Sequence, residues 1–294
     1  MKDGYSNKVS VLITTYNRPA LLKRAMASVL GQTYQNLELI IIDDASTDDT
    51  PNFVASCSDP RIRFYRNSIN IGSACGDRPH LKRFIYDLSR GSKFIYLCVD
   101  DYWLDDKMLE KFMETPDCSM VIGNQLSVYE DGFAVEHRPP FDVGRMVAEQ
   151  FVKIFSDKPI ESNIIVGATL FDRWKFMHTC ALLDRGARWQ AGYELFLSAA
   201  SQGDVIYHQK PYVAVDVRPT NASFQLTQLE HYLDCVESIK AAKCQPIDIK
   251  QKIIDNVGKA YLANAEHIKQ HGLLTMCSAH NISVPVTPDD LVVL

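Results

Sequence analysis

Two pairs of neighbouring aspartates stand where apolar runs end. Asp100-Asp101 follows Lys93 to Val99 (KFIYLCV), and Asp43-Asp44 closes the run Leu37 to Asp43 (LELIIID). Hard divalent cations such as Mg²⁺ and Mn²⁺ prefer oxygen ligands, and one or two carboxylates plus substrate phosphates commonly hold them. A cation at Asp100-Asp101 would neutralise a diphosphate leaving group. The competing reading is structural: the pair caps a helix that begins near Tyr102, and an aspartate pair alone is a weak motif. Asp43-Asp44 also has two readings, a cap ahead of Pro51 or a carboxylate accepting hydrogen bonds from a base or ribose. Thr14 and Tyr16, at the end of Lys8 to Thr15, could join it, Tyr16 by stacking on a base ring. For Tyr16, packing under a turn is the alternative.

The elements that must position these residues are short and alternate in type. Lys8 to Thr15 is β-branched and reads as a buried strand. Leu21, Leu22, Ala25, Met26, Val29 and Leu30 then follow helical spacing, with Pro19 in the first turn, Asn17 as a cap and Gly31 as the stop. Leu37 to Asp43 is the second strand, a helix starts near Pro51, and Arg61 to Arg66 is a short strand. His80 to Ser89 is helical, and Lys93 to Val99 is the next buried strand. This alternation predicts a parallel sheet covered on both faces, and such sheets bind ligands at the carboxyl ends of their strands. Met120 to Val128 and Ile164 to Phe171 read as strands, Val205 to Val217 as one or two more, and Arg188 to Ser201 as a helix. Helices are expected over Phe224 to Lys243 and Ile247 to Gln270, with a break at Gln245-Pro246.

Composition narrows the function classes. The 294 residues are 46% hydrophobic and 23% charged, which excludes a disordered or collagen-like chain. A net charge of −5 gives no global pull on nucleic acid, so no nucleic-acid partner is expected. The apolar runs fall far below the roughly 18 residues of a membrane span, and the N-terminus lacks the apolar segment of a signal peptide. A soluble, cytoplasmic protein is the expectation. The eight cysteines form no CxxC pair, which argues against a zinc ribbon, a redox motif or a disulfide framework.

Several ordered motifs together carry a resemblance. They are KVSVLITTYNRP from Lys8, SVLGQTYQNLELIIIDDASTDDT from Ser28, Arg61-Ile-Arg-Phe-Tyr, Asn70-Ile-Gly, and Phe94-Ile-Tyr-Leu-Cys-Val-Asp-Asp. Over residues 8–125 the chain resembles the N-terminal half of family 2 glycosyltransferases of the GT-A fold. A weaker similarity to spore-coat-type members runs through Gly192-Tyr-Glu-Leu-Phe-Leu and Ala222-Ser-Phe-Gln-Leu. The resemblance implies an α/β fold, a Rossmann-like, mostly parallel sheet flanked by helices. It divides residues 1–222 into a nucleotide-sugar half (8–125) and an acceptor half (126–222), followed by a helical extension over 223–294. It implies that Thr14, Tyr16 and Asp44 hold the nucleotide base, that Asp100 contacts ribose and that Asp101 binds Mn²⁺ or Mg²⁺.

The chain departs from the family pattern at three places. Where many members carry Asp-x-Asp-Asp, the first position is Cys98, so the reduced Asp-Asp form is expected to suffice. The carboxylate that serves inverting members as general base is expected at Gly192, and Glu194, two residues on, is the nearest replacement; Asp184, Asp204 and Asp172 are the other local carboxylates. Two residues on a helix turn the side chain by roughly 200°, and the alternative for Glu194 is a solvated position paired with Arg188 or Lys210. Arg218 lacks the His that often follows it as a third metal ligand; His208 and His137 are the substitutes, although a lone His is usually structural. For the diphosphate, Arg78 is the expected contact, while Lys82 and Arg83 read as a solvated helix face. Trp103, Trp174 and Trp189 could stack on sugar rings, with core packing expected for at least two.

The leading expectation is therefore an enzyme moving a sugar from a UDP- or dTDP-sugar to the hydroxyl of a glycan or lipid-linked acceptor, with inversion, in glycan or polysaccharide assembly. A lipid-linked acceptor would bring peripheral contact with the inner face of the membrane, and the helical tail could also form a homo-oligomer. The alternative class is a non-catalytic nucleotide-sugar-binding module whose tail recruits a partner, which Gly192 favours. A nucleotidyltransferase ranks last, because residues 8–20 hold no glycine for a triphosphate-gripping loop.

Overall fold

The computed structural model describes residues 7–72, 78–115, 117–159, 161–179, 191–218, 228–242, 244–263 and 285–286. The β-branched runs form the expected strands β1 (Val9–Thr15) and β2 (Leu37–Asp43), buried at every position. Between them lies α1 (Pro19–Leu30), which buries Leu22, Ala25, Met26 and Val29 and stops at Gly31. α2 (Thr50–Ala55) leads to β3 (Ile62–Arg66). α3 (Arg78–Arg83) passes into a π-helical turn over Phe84–Leu88, and β4 (Lys93–Tyr96) follows. β3, β2, β1 and β4 lie side by side and parallel.

One expectation fails at the end of β4. No helix begins near Tyr102. The chain turns at Asp100-Asp101, with the Asp101 N–H on the Cys98 carbonyl at 3.0 Å. It then enters the short strand β5 (Tyr102–Trp103), and α4 (Met108–Met113) starts later. The aspartate pair is therefore no helix cap. Asn17 is no cap either: it takes a positive φ of 53°, and its side chain accepts the Thr47 N–H at 2.8 Å, which ties the end of β1 to the turn after β2.

The second half completes the sheet with mixed polarity. It comprises β6 (Met120–Tyr129), β7 (Ala134–Glu136), β8 (Gly144–Met146), α5 (Ala148–Asp157), β9 (Thr169–Asp172), α6 (Arg173–Met177), α7 (Ala191–Ala200) and β10 (Val205–Val217). β9 runs antiparallel between β4 and β6, β10 runs parallel to β6, and β5 and β8 pair antiparallel with β10. The whole is one mixed α/β sheet with helices on both faces. α8 (Gln228–Ala241) and α9 (Ile247–Ala263) flank the expected break at Gln245-Pro246, and a short β11 (Pro285–Val286) pairs with β7.

Side-chain alternation along β1 divides the core. Leu12 joins Phe94, Phe171, Phe196, Ile239 and Ile253 on one face of the sheet. Val9, Val11 and Ile13 join Leu22, Met26, Leu109 and Val213 on the other. Each such aliphatic side chain contributes about 1.5–3 kcal/mol on burial, so the sheet that positions the site is anchored from both sides. The tail helices share the first of these cores.

Candidate active site

Parallel pairing of β1 with β2 and β4 brings their carboxyl ends to one edge, with Thr15 in register with Asp43. Thr14 Oγ1 lies 3.1 Å from the Tyr96 hydroxyl, and the Asp44 N–H donates to the Thr15 carbonyl at 2.9 Å. Tyr16 projects from this edge and is 43% exposed, so its ring is open to a stacking partner.

The two carboxylates of the second pair do different work. Asp43 is fully buried and builds the turn after β2: it accepts the Ser46 N–H at 3.1 Å, the Ser46 hydroxyl and Arg66 Nε at 3.1 Å. Asp44 gathers the loop after β3. It accepts Asn67 Nδ2 at 2.7 Å, the Ile71 N–H at 3.1 Å and the Gly72 N–H at 2.9 Å. His80 Nε2 lies 3.6 Å away. Gly72 has φ 79°, a conformation that costs a glycine nothing and lets its N–H reach Asp44.

The turn after β4 collects charge. Asp101 is only 3% exposed and is not ion-paired among the described residues. Its carboxylate accepts the Asp216 N–H, and burial, then repulsion from Asp100, hold its carboxyl well above the usual range. Asp100 is 19% exposed and takes Arg18 Nη1 at 3.3 Å; burial raises its carboxyl too, against the pull of Arg18. Arg24 Nη2 donates to the Asp100 carbonyl at 2.6 Å and to Asp216 Oδ2 at 2.6 Å. Arg218 grips Asp216 twice, at 2.7 and 2.8 Å. Burial alone would push the Asp216 carboxyl up, but the bonds from Arg218 and Arg24 outweigh it and hold it below its ordinary value. The Cys98 thiol and the Asp100 and Asp101 carboxylates place ligand atoms within 4.8 Å of one another. Two carboxylates with desolvated charge and oxygen donors fit a divalent cation.

Asp216 and Arg24 are functional candidates that motif reading passed over. The rule that singled out the other aspartates applies to Asp216 as well, because it sits at the carboxyl end of the apolar strand β10. Arg24 carried no signal beyond one charged side chain on an apolar helix.

Other expected site residues scatter. Glu194 is 1% exposed, on α7 packed against α8, with its N–H on Ser238 Oγ at 3.1 Å. No contact described at Asp100, Asp101 or Asp216 involves it, and the solvated position paired with Lys210 is not found: Lys210 bonds Asp105. Asp172 caps α6 and holds Lys93, and Asp204 holds Arg145. A Cβ at Gly192 would meet the Phe196 ring at 3.1 Å, so an aspartate there requires that ring to give by a few tenths of an ångström. Arg78 opens α3, but its side chain lies outside the described residues, as do Asp184, Arg188, Trp189 and Pro219 to Leu226. Trp103 is core, its Nε1 donating to the Gly167 carbonyl at 2.9 Å, while Trp174 is half-exposed under the Arg173 guanidinium. His137 is structural, bonded to Ser127 and Asn163. His208 packs on Phe112 and Tyr212.

A mixed α/β sheet with carboxylates and an exposed tyrosine at the carboxyl edge of its parallel strands has the overall architecture of the GT-A glycosyltransferases. The sequence profile of Glycosyl transferase family 2 matches residues 10–179, more than half of the chain, and the chain belongs to this family. Among curated relatives, the Escherichia coli UDP-Glc:alpha-D-GlcNAc-diphosphoundecaprenol beta-1,3-glucosyltransferase WfaP is 37% identical over 109 residues, 36% of this chain and 41% of that protein. WfgD of the same species, described by the same activity, is 28% identical over 174 residues, 57% of this chain and 63% of that protein. An uncharacterized glycosyltransferase of Rickettsia typhi is 25% identical over 239 residues, 79% of this chain and 71% of that protein. The chain thus spans about two fifths of WfaP and under two thirds of WfgD. Among solved structures, Staphylococcus aureus TarS (its residues 1–349) superposes with TM-score 0.63 at 12% identity, covering 90% of this chain and 75% of that one. The Pyrobaculum calidifontis mannosyltransferase PcManGT, solved with GDP-Man and Mn²⁺, gives 0.54 at 16% identity, covering 92% and 79%. At these identities the likeness is one of fold.

Proposed function

We propose that the chain transfers a sugar from a UDP- or dTDP-sugar to a hydroxyl of a glycan or lipid-linked acceptor, with inversion. The observation that carries this reading is the buried Asp100–Asp101 turn, fixed by Asp216 and Arg24 beside the Thr14–Tyr16–Asp44 edge. In this reading Tyr16 stacks on the base, Thr14 and Asp44 line its pocket, Asp100 takes the ribose, and Arg78 reaches the diphosphate. Asp101, with Asp100, would hold Mn²⁺ or Mg²⁺, which supplies positive charge to the departing nucleoside diphosphate. The protein's own part is to keep two carboxylates desolvated, where each interaction with charge is stronger than in water. WfaP and WfgD, whose described activity uses UDP-Glc and a diphosphoundecaprenol-linked sugar, and TarS, solved with UDP-GlcNAc, support the donor and acceptor classes. A lipid-linked acceptor would bring the enzyme to the inner face of the membrane as a peripheral protein. No described helix is long and apolar enough to cross one.

The burial of Glu194, 1% exposed, argues against its meeting an incoming hydroxyl, and its main-chain N–H, bonded to Ser238, ties α7 to α8. That burial and Gly192 favour the second reading, a nucleotide-sugar-binding module without catalysis. Donor hydrolysis and transfer assays separate the two. Metal-dependent release of UDP from UDP-glucose or UDP-GlcNAc, lost in Asp101→Ala, supports the enzyme; UDP binding without turnover of any donor supports the binding module.

A further inference from the structure

We propose that Cys98 is a third ligand of the cation at Asp100 and Asp101, making a mixed thiolate–dicarboxylate centre that favours Co²⁺ and Zn²⁺ over Mg²⁺. This rests on the cation site proposed above and adds the sulfur to it. Cys98 lies two residues past β4, and the bond from the Asp101 N–H to its carbonyl folds 98–101 into a turn. That turn brings Sγ and the two carboxylates within 4.8 Å of one another. Ligand atoms lying about 2.0–2.3 Å from a shared ion, the Zn–O and Zn–S range, stand at most about 4.6 Å apart, so small side-chain shifts suffice.

A second observation points to a cation independently of the cysteine. Asp101 is a nearly fully buried carboxylate with no ion pair among the described residues: it accepts the Asp216 N–H, its acidic neighbours are Asp100 and Asp216, and Arg24, the cation that attracts it, is itself paired with Asp216. A buried charge of this kind is costly without a counter-charge. The sulfur then decides which cation. Mg²⁺ demands an octahedron of oxygen and keeps its water, whereas a thiolate suits borderline and softer ions. On ligation the thiol proton passes to solvent, so binding releases a proton.

The test is titration of the purified chain with Co²⁺, read by the near-ultraviolet sulfur-to-cobalt charge-transfer band and by calorimetry, with Mg²⁺ titrated in parallel. The expected result is a band in the wild type that disappears in Cys98→Ser and Cys98→Ala, and a Co²⁺/Mg²⁺ affinity ratio that falls about tenfold or more in both. Cys98→Asp is expected to move the preference towards Mg²⁺. Co²⁺ binding that Asp101→Asn abolishes but that shows no charge-transfer band overturns the thiolate and leaves the dicarboxylate site standing. A band that survives in both Cys98 variants also overturns it, since another cysteine then holds the ion. Co²⁺ binding untouched by Asp101→Asn overturns the proposed cation site as well.

Discussion

Acid should unfold this protein partly through one histidine. His137 follows β7, and its N–H bonds the Gln125 carbonyl at 3.1 Å, which extends the hairpin with β6, the strand beside β10. Asn163 Nδ2 lies 3.0 Å from Nδ1 and Ser127 Oγ 2.8 Å from Nε2. The amide donates to Nδ1, so the proton sits on Nε2 and is donated to the serine. The ring is neutral, and burial lowers its pKa from 6.5 to about 4. The unfolded chain therefore binds a proton near pH 6.5 that the folded chain refuses until about pH 4. Stability is unaffected by this group above pH 6.5, falls as pH drops through the interval, and levels off below about 4. A gap of about 2.5 pH units at about 1.4 kcal/mol each gives about 3.5 kcal/mol between the two plateaus, of which about 3 kcal/mol falls between about pH 7 and about pH 4. Carboxylates titrate over part of the same range, so the measurement is a difference. Urea unfolding of wild type and His137→Gln, from about pH 7 to about pH 4, should show the variant gaining about 3 kcal/mol on the wild type as pH falls. Parallel stability curves would refute the buried neutral ring.

Arg24→Ala removes the link between the Asp100 carbonyl and Asp216. Bonds to charged groups contribute about 1.5–3 kcal/mol, and Arg24 is 34% exposed, so the lower end applies. Folding stability should fall by about 1.5 kcal/mol in urea unfolding, and unchanged stability would show that the latch holds nothing. Asp44→Ala deprives Asn67, Ile71 and Gly72 of their shared acceptor; UDP affinity should drop and proteolysis within 67–72 accelerate, and the loss of neither would detach the loop from the pocket. Glu194→Gln should keep transfer within about tenfold of wild type, whereas a fall of about 10²–10⁴ would make it the proton acceptor.

The strands β1 and β2 were legible because fully buried parallel strands need unbroken β-branched and aliphatic runs, which Val9–Ile13 and Leu39–Ile42 supply, whereas the half-buried β3 showed itself by alternation. Helix α5 is not legible in the sequence, since its apolar face (Phe151, Phe155) lies between polar stretches that resemble a loop. β5 spans two residues, too few for any period, and it exists because β10 pairs with it. The same long-range pairing hid the latch: Arg24, Asp100 and Asp216 are 76 and 192 residues apart along the chain. The aspartates at the strand ends could be located because charged residues closing apolar runs stand out against them. Their division of labour could not, for Asp43 and Asp44 differ only in which loop folds over them. Glycine at 192 in place of a carboxylate was visible, but the Phe196 ring that a Cβ there would meet was not, because packing sets it.

The proposed function turns on a cation at Asp101 that tightens the grip on a nucleoside diphosphate. Calorimetry of UDP binding with and without Mn²⁺ tests it directly, on wild type and Asp101→Ala. Mn²⁺ should strengthen UDP binding to the wild type by about 5–150-fold, the range of a typical coupling between two ligands, and should leave Asp101→Ala unmoved. Equal tightening by Mn²⁺ in the two proteins would contradict the account.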